Sequence, residues 1–216
     1  MKQITKRMSL QCNEKFLEIT GGISCKLLGD YKFSILPHPY DNVALGSAIK
    51  TCLENSKELS VDEWDEKYGT NDKAFQGYMA QKVEEHDAEM MREYGVKDEK
   101  VLYRDMMSCT IWEFDNTGLN IKSSLHEKLE VWDSIDFKVK ITNNSPAEIV
   151  GAVARYTIAR CRGKGSYAKG AEKVSKIIFP ETSFPDGVPA SLEEYLSSLN
   201  LDYEQCLIPN YDMDEN

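Results

Sequence analysis

Apolar and polar positions alternate in short runs near the start of the chain. "FLEITGGISCKLLGDYKFSILPHP" reads as short strands separated at Gly21-Gly22, Gly29-Asp30 and Pro37-His38-Pro39, where turn-forming residues interrupt the alternation. The period then changes. Leu45, Ile49, Cys52 and Leu53 fall at i, i+4, i+7 and i+8, one face of an amphipathic helix, with Asp41 or Asn42 as its cap. Between 58 and 101 the apolar positions thin out. Phe75, Met79, Val83 and Met90 form a narrow stripe that predicts a helix over about 72–93, with Glu84, Glu85, Asp87, Glu89 and Glu93 on its solvated faces. Strand alternation returns in "MSCTIWEFDNTGLNIKSS", where Cys109 and Ile111 precede, and Leu119 and Ile121 follow, an Asp-Asn-Thr-Gly turn. "KLEVWDSIDFKVKITNN" supplies further strands. Ser145-Pro146-Ala147-Glu148 then starts a helix, with Ser as cap, Pro at the first position and Glu reaching back. Val150, Ala154, Thr157, Ile158 and Cys161 mark its buried face. "PASLEEYLSSL" predicts a short helix capped by Ser191, and "NYDMDEN" a frayed end.

Two of these stretches are alike. Residues 30–57, "DYKFSILPHPYDNVALGSAIKTCLENSK", and residues 136–163, "DFKVKITNNSPAEIVGAVARYTIARCRG", both open Asp-aromatic-Lys-apolar and both reach a Gly inside a helical pattern. With Gly46 set on Gly151, Leu45 falls on Val150, Ile49 on Ala154, Cys52 on Thr157 and Leu53 on Ile158. The expected architecture is α+β: a duplicated unit of antiparallel strands closed by a helix, with an acidic helical insert. The chain is expected to form one domain, 1–216. Its halves would be 1–57 and 102–163, the insert 58–101, and a basic loop with an acidic extension 164–216. Two copies do not make a solenoid.

The 216 residues suffice for a sizeable core without disulfides or metal. No apolar run approaches the ~20 residues of a membrane-spanning helix, and the first residues lack the apolar core of a secretory signal. Six scattered cysteines form no C-x-x-C pair, which suits buried free thiols in a reducing cytosol. The net charge of −10 disfavours nonspecific nucleic-acid binding and suits a basic partner. From Glu181 onward there is no Lys or Arg.

Enzymatic candidates are thin. His38 lies between prolines, His86 in a run of acids, and His126 beside Ser124, but none has a nucleophile and an orienting group at recognisable spacing. "EEHDAE" puts Glu85 and Glu89 on one helix face and sends Glu84 and Asp87 elsewhere, so an acidic surface fits better than a metal site. "CRGKGSYAKG" lacks the spacing of a phosphate loop and follows a helix instead of preceding one. Arg155, Arg160, Arg162, Lys164, Lys169, Lys173 and Lys176, with Tyr156 and Tyr167, have the residue types of a single-strand site. The acidic remainder opposes a polyanion. Trp132 is expected in the core and Trp112 in a strand. Trp64, among acids, is either a binding hot spot or an anchor for the insert.

Three blocks carry a family resemblance: "ALGSAIKTCLENSKEL", "VLYRDMMSCTIWEFDNTGLNIKSSLHEKLEVW" and "AEIVGAVARYTIARCRG". Over about 25–163 the chain resembles the immunity proteins of contact-dependent growth inhibition (CDI). The resemblance implies a cytoplasmic protein of a Gram-negative bacterium. It would bind the C-terminal toxin domain of a cognate secreted effector, block it and protect the producing cell. It also implies a basic toxin, often an RNase or other nuclease, a fold that in some members is Whirly-like, and no catalytic residue, cofactor or metal. The segment 58–101 and the acidic tail look like additions to the family pattern, so the expected one-to-one toxin interface is drawn from them: Asp62, Glu63, Trp64, Glu84, Glu85, Asp87, Glu89, Asp98, Glu99, Asp202, Glu204 and Asp212. The alternatives are a Whirly-like single-stranded nucleic-acid-binding module and a hydrolase built on the histidines.

Overall fold

The computed structural model describes residues 4–25, 28–114, 118–126, 132–141, 145–159, 177–178, 189 and 191–202. Three antiparallel strands open the chain: β1 (Ile4–Cys12), β2 (Phe16–Cys25) and β3 (Leu28–Pro37). Helix α1 (Asn42–Asn55) closes this unit. After β4 (Lys57–Glu58) come three helices, α2 (Val61–Tyr68), α3 (Asp72–Glu93) and α4 (Glu99–Leu102). The second unit repeats the first as β5 (Met107–Phe114), β6 (Gly118–His126), β7 (Trp132–Ile141) and α5 (Ala147–Ala159). Helix α6 (Leu192–Ser198) follows, capped by Ser191 through the Glu194 amide.

The strands form one sheet in the order β3-β2-β1-β5-β6-β7, with β4 adding to β2 in parallel. This order reads the same from either end, so β1 and β5 meet at the centre as the first strand of each unit. Met8 faces Ile111, Leu10 faces Cys109 and Cys12 faces Met107. Period-two alternation puts these six side chains on one face, where all are buried. Leu17, Ile19 and Ile121 extend that face.

The Gly-Gly and Gly-Asp pairs do not break strands as the sequence suggested. β2 runs unbroken through Gly21-Gly22, and β3 contains Gly29-Asp30. Gly22 has φ +152°, and a Cβ there would lie 2.2 Å from the carbonyl oxygen of Asp30, so β3 approaches where only glycine fits.

α1 and α5 both lie on the buried face and cross each other. Asp41 is the α1 cap, accepting from the Ala44 amide at 2.7 Å, and Asn42 is inside the helix. In α5 the first backbone bond runs from the Val150 amide to the Pro146 carbonyl, one residue later than a Ser145 cap would place it. At the crossing, Gly46 meets the Ala147 carbonyl and Gly151 meets the Asn42 carbonyl. Each contact reaches four residues before the other helix's glycine. The alignment of Gly46 on Gly151 is therefore a physical reciprocity.

α5 is buried almost all round, where the sequence marked one face. Tyr156 is enclosed beside Tyr195 of α6, with ring centroids 6.2 Å apart. Arg155 is half-buried, stacks over the Tyr40 ring at 5.3 Å and donates to the Tyr40 carbonyl. Arg155 and Tyr156 thus belong to the interior contacts of the fold, not to a nucleic-acid face. Arg160, Arg162, Lys164, Tyr167, Lys169, Lys173 and Lys176 lie outside the described residues, as do Cys161 and Cys206.

Candidate partner-binding surface

The insert packs on the sheet face opposite α1 and α5. Consecutive residues of β2 show this: Leu17 enters the main core, and Phe16 joins Met90 of α3 and Leu102 of α4 in a second cluster. β2 is therefore covered on both faces.

Each end of the insert is anchored by apolar burial. Ser60 and Glu63 form a reciprocal capping box at the start of α2. Trp64, 2% exposed, packs with Cys25, Leu59 and Phe75. Its ring lies edge-on to Phe75 at 4.8 Å. The sequence left Trp64 open between hot spot and anchor; it is an anchor, buried with its ring closed against those of Tyr68 and Phe75. At the far end of α3, Met90 closes over Phe16.

Between those ends α3 is held by polar clips. Lys82 Nζ lies 2.6 Å from Asp30 Oδ1, and the Tyr68 hydroxyl donates to Asp30 Oδ2 at 3.2 Å. Burial works against a charge on Lys82, but its hydrogen bond to Asp30 and the charge of Asp30 outweigh that and raise its pKa. Burial, then the Asp30 charge, push Tyr68 up to about 12. His86 Nε2 is 2.7 Å from Glu18 Oε2, and its ring stacks on Phe33 at 4.1 Å. The Tyr103 hydroxyl donates to Asp87.

The acidic candidates separate on this scaffold. Asp62, Glu84, Glu85, Glu89 and Glu99 are exposed. Glu63 is exposed but engaged in the capping box, with Lys57 at 3.6 Å. Glu85 accepts from Gln81 at 2.8 Å. Asp87 is half-buried, and Asp98 caps α4 through the Lys100 amide. Asp202 is exposed beyond α6, on the α1–α5 side of the sheet, so the insert and this part of the tail face opposite ways. Glu204 and Asp212 lie outside the described residues.

One flank of α3 stands off the sheet and leaves an open groove of about 770 Å³. Leu28, Gly29 and Tyr31 of β3 form one wall, and Phe75, Met79, Val83 and Met91 of α3 the other. Glu84, Asp87 and Glu99 rim it, and among the described residues no Lys or Arg lines it. Ala80 and Ala88 leave the space open. The Tyr31 ring folds over Gly29, where a Cβ would come within 2.1 Å of it. The wall from β3 escaped sequence reading, because that strand read as framework; an aromatic two residues after a glycine was its only signal.

Among the described residues, titratable groups elsewhere do not assemble into an acid–base site. Cys12 Sγ lies 3.9 Å from His38 Nε2 and 3.8 Å from the Tyr40 hydroxyl. His38 Nε2 is also 2.9 Å from the Asn13 carbonyl, which can only accept, so that nitrogen carries the proton and cannot take one from the thiol. Burial holds His38 below the usual imidazole range. Cys12 is itself fully enclosed. The side chain of His126 lies outside the described residues. Among the described residues no three His, Cys, Asp or Glu side chains converge as a metal site needs, and no helix is long and apolar enough to cross a membrane.

A family profile described as "CdiI: CDI immunity protein" matches residues 6–161, both strand–helix units and the insert between them. The chain belongs to the CDI immunity protein family. The immunity protein CdiI-YPIII of Yersinia pseudotuberculosis is 36% identical to it over 89 residues, 38% of this chain. The match spans about half, 49%, of that relative's length. Among solved structures, a protein of unknown function from Neisseria meningitidis, NMB0488, superposes with a TM-score of 0.59 at 29% identity, covering 73% of this chain and 96% of its own. A chain from a CdiA-CT/CdiI toxin and immunity complex of Yersinia pseudotuberculosis superposes with a TM-score of 0.57 at 18% identity, covering 75% and 100%. This second likeness establishes the shared α+β fold. Within that fold, the insert helices α2, α3 and α4 carry exposed carboxylates, among them Asp62, Glu84, Glu85, Glu89 and Glu99.

Proposed function

We propose that this protein binds the C-terminal toxin domain of its cognate CDI effector one-to-one and neutralises it in the cytoplasm of the producing Gram-negative cell. The observation that carries the reading is the family match across 6–161. The likeness to a chain of a toxin and immunity complex supports the same role. Neutralisation proceeds by occupancy and requires no turnover.

The charge pattern supports a basic toxin; that it is a nuclease, and an RNase in particular, is the reading the family resemblance implies. Glu84, Glu85 and Glu89 project from a helix whose cationic Lys82 is already held by Asp30. A cleft that grips a nucleic-acid backbone presents fixed cations, and these outward carboxylates meet them in place of phosphates. Asp87 is half-buried and also accepts from Tyr103.

The test is titration of the purified protein into its cognate toxin domain, paired with survival of cells that express the toxin. A tight one-to-one complex and restored growth are expected. Glu84→Lys, Glu85→Lys and Glu89→Lys together should slow association about tenfold or more at low salt, with the gap narrowing as salt rises. A wild-type protein that neither binds the toxin nor protects cells refutes the proposal.

A further inference from the structure

The groove beside α3 has three properties that are unusual together on one surface. It is apolar in its walls, single-signed at its rim among the described residues, and formed by elements held side by side by polar clips. Val83 is 40% exposed and Tyr31 37% exposed, although both are large apolar or aromatic side chains. They face the same open space from opposite walls. Isolated exposed apolar residues are ordinary, but a contiguous pair across a concavity marks a place where a partner side chain gains contact on both sides. Met79 and Met91 add unbranched, polarizable walls that reshape around an entering group.

The clips explain why the groove stays open. Lys82 and His86 draw α3 onto β2 and β3 along one line of the helix, through Asp30 and Glu18. The flank at 80, 83, 84, 87 and 88 is turned away from that line. Alanines at 80 and 88, with Gly29 in the facing wall, prevent side chains of the chain itself from filling the gap. Its volume falls within the range of pockets that enclose a ligand group.

The rim selects the occupant. Glu84 and Glu99 are exposed and Asp87 half-buried, and among the described residues no cation lines the groove. We infer that this groove receives an amphipathic segment of the toxin domain. Its apolar side chains sit between the Leu28–Tyr31 wall and the Met79–Val83 wall, and flanking Lys or Arg side chains meet Glu84, Asp87 and Glu99. This inference rests on the toxin-binding reading above and adds the place and the chemistry of contact. The apolar insertion supplies the slow dissociation, and the carboxylate rim steers the encounter.

Ala80→Trp and Ala88→Trp fill the groove from exposed helix positions. Thr51→Trp places the same bulk at an exposed position of α1, across the sheet from the groove. In calorimetric titration with the cognate toxin domain, each groove-filling variant should lose about tenfold or more in affinity, and Thr51→Trp should bind as wild type. Circular dichroism melting checks that each variant remains folded. A second measurement needs no substitution: hydrogen exchange of the wild-type complex should slow at 28–31 and 76–91. Wild-type affinity in folded groove-filling variants, or unchanged exchange at both segments, overturns the inference while toxin binding by the wild type keeps the proposed function. No binding by the wild type overturns both.

Discussion

The crossing of α1 and α5 makes a sharp demand on two residues. A Cβ on Gly46 would lie 1.7 Å from the Ala147 carbonyl oxygen, and one on Gly151 would lie 1.8 Å from that of Asn42. The obstacles are backbone atoms, so no rotamer change relieves them. Restoring a carbon–oxygen separation of about 3.3 Å requires the helices to part by roughly 1.6 Å. That movement opens the layer shared by Leu45, Ile49, Val150 and Ala154, all of which are fully buried. Overpacking of this kind costs about 1–3 kcal/mol, and more where backbone must move. Replacing glycine by alanine in a helix returns about 1 kcal/mol of propensity. Gly46→Ala and Gly151→Ala should therefore each destabilise by about 2 kcal/mol or more. Their effects should not add, because helices already parted by one alanine accommodate the second more cheaply. Gly77 of α3 is the control: a Cβ there meets nothing within 4 Å, and Gly77→Ala should stabilise by about 0.5–1 kcal/mol. Urea unfolding with linear extrapolation measures all four quantities. If Gly46→Ala is as stable as wild type while Gly77→Ala behaves as stated, the close approach of the helices is wrong. If the two alanines add fully, their reciprocity is wrong.

Trp64→Ala should cost about 3–5 kcal/mol, read as faster hydrogen exchange in α2 and the first half of α3 with the sheet amides unchanged. Trp64→Phe should cost less, because the indole N–H is buried without a hydrogen-bond partner and the substitution removes it. The Asp30 clip should fail on the alkaline side. Lys82 and Tyr68 both hold their protons more tightly in the folded protein, so their contribution is complete below about pH 10 and lost at higher pH, that of Tyr68 as pH climbs through about 12. Near-UV circular dichroism of the aromatic cluster should report that loss, and Asp30→Asn should move it to lower pH; an unmoved transition would remove Asp30 from the clip.

Much of the framework was legible because its signals are local. Helical period and capping residues located α1, α3 and α6, since an amphipathic face and an N-cap are properties of neighbouring residues. The Gly46–Gly151 alignment also survived contact with the structure, because a glycine amid apolar helix positions records a close approach. Local signals failed where another segment changed the environment. Gly21-Gly22 read as a break and sits inside β2, because β3 and α1 crowd it from both sides. The resemblance to the immunity family came from patterned blocks, and it said nothing about which surface faces outward.

The amino-acid sequence by itself determined the two strand–helix units, the acidic balance and the long helix of the insert, while the short helices on either side of it were seen only in the structure. Tertiary structure alone decided that Trp64 turns inward, that α5 is enclosed by α6, and that the tail at Asp202 lies across the sheet from the insert. It alone made the groove, whose walls come from residues 28–31 and 75–91 and whose rim includes Glu99. The physical reason is range. Period and capping act within a few residues, whereas a concavity exists only once β3 and α3, about fifty residues apart along the chain, are held side by side by Asp30, Lys82, Glu18 and His86.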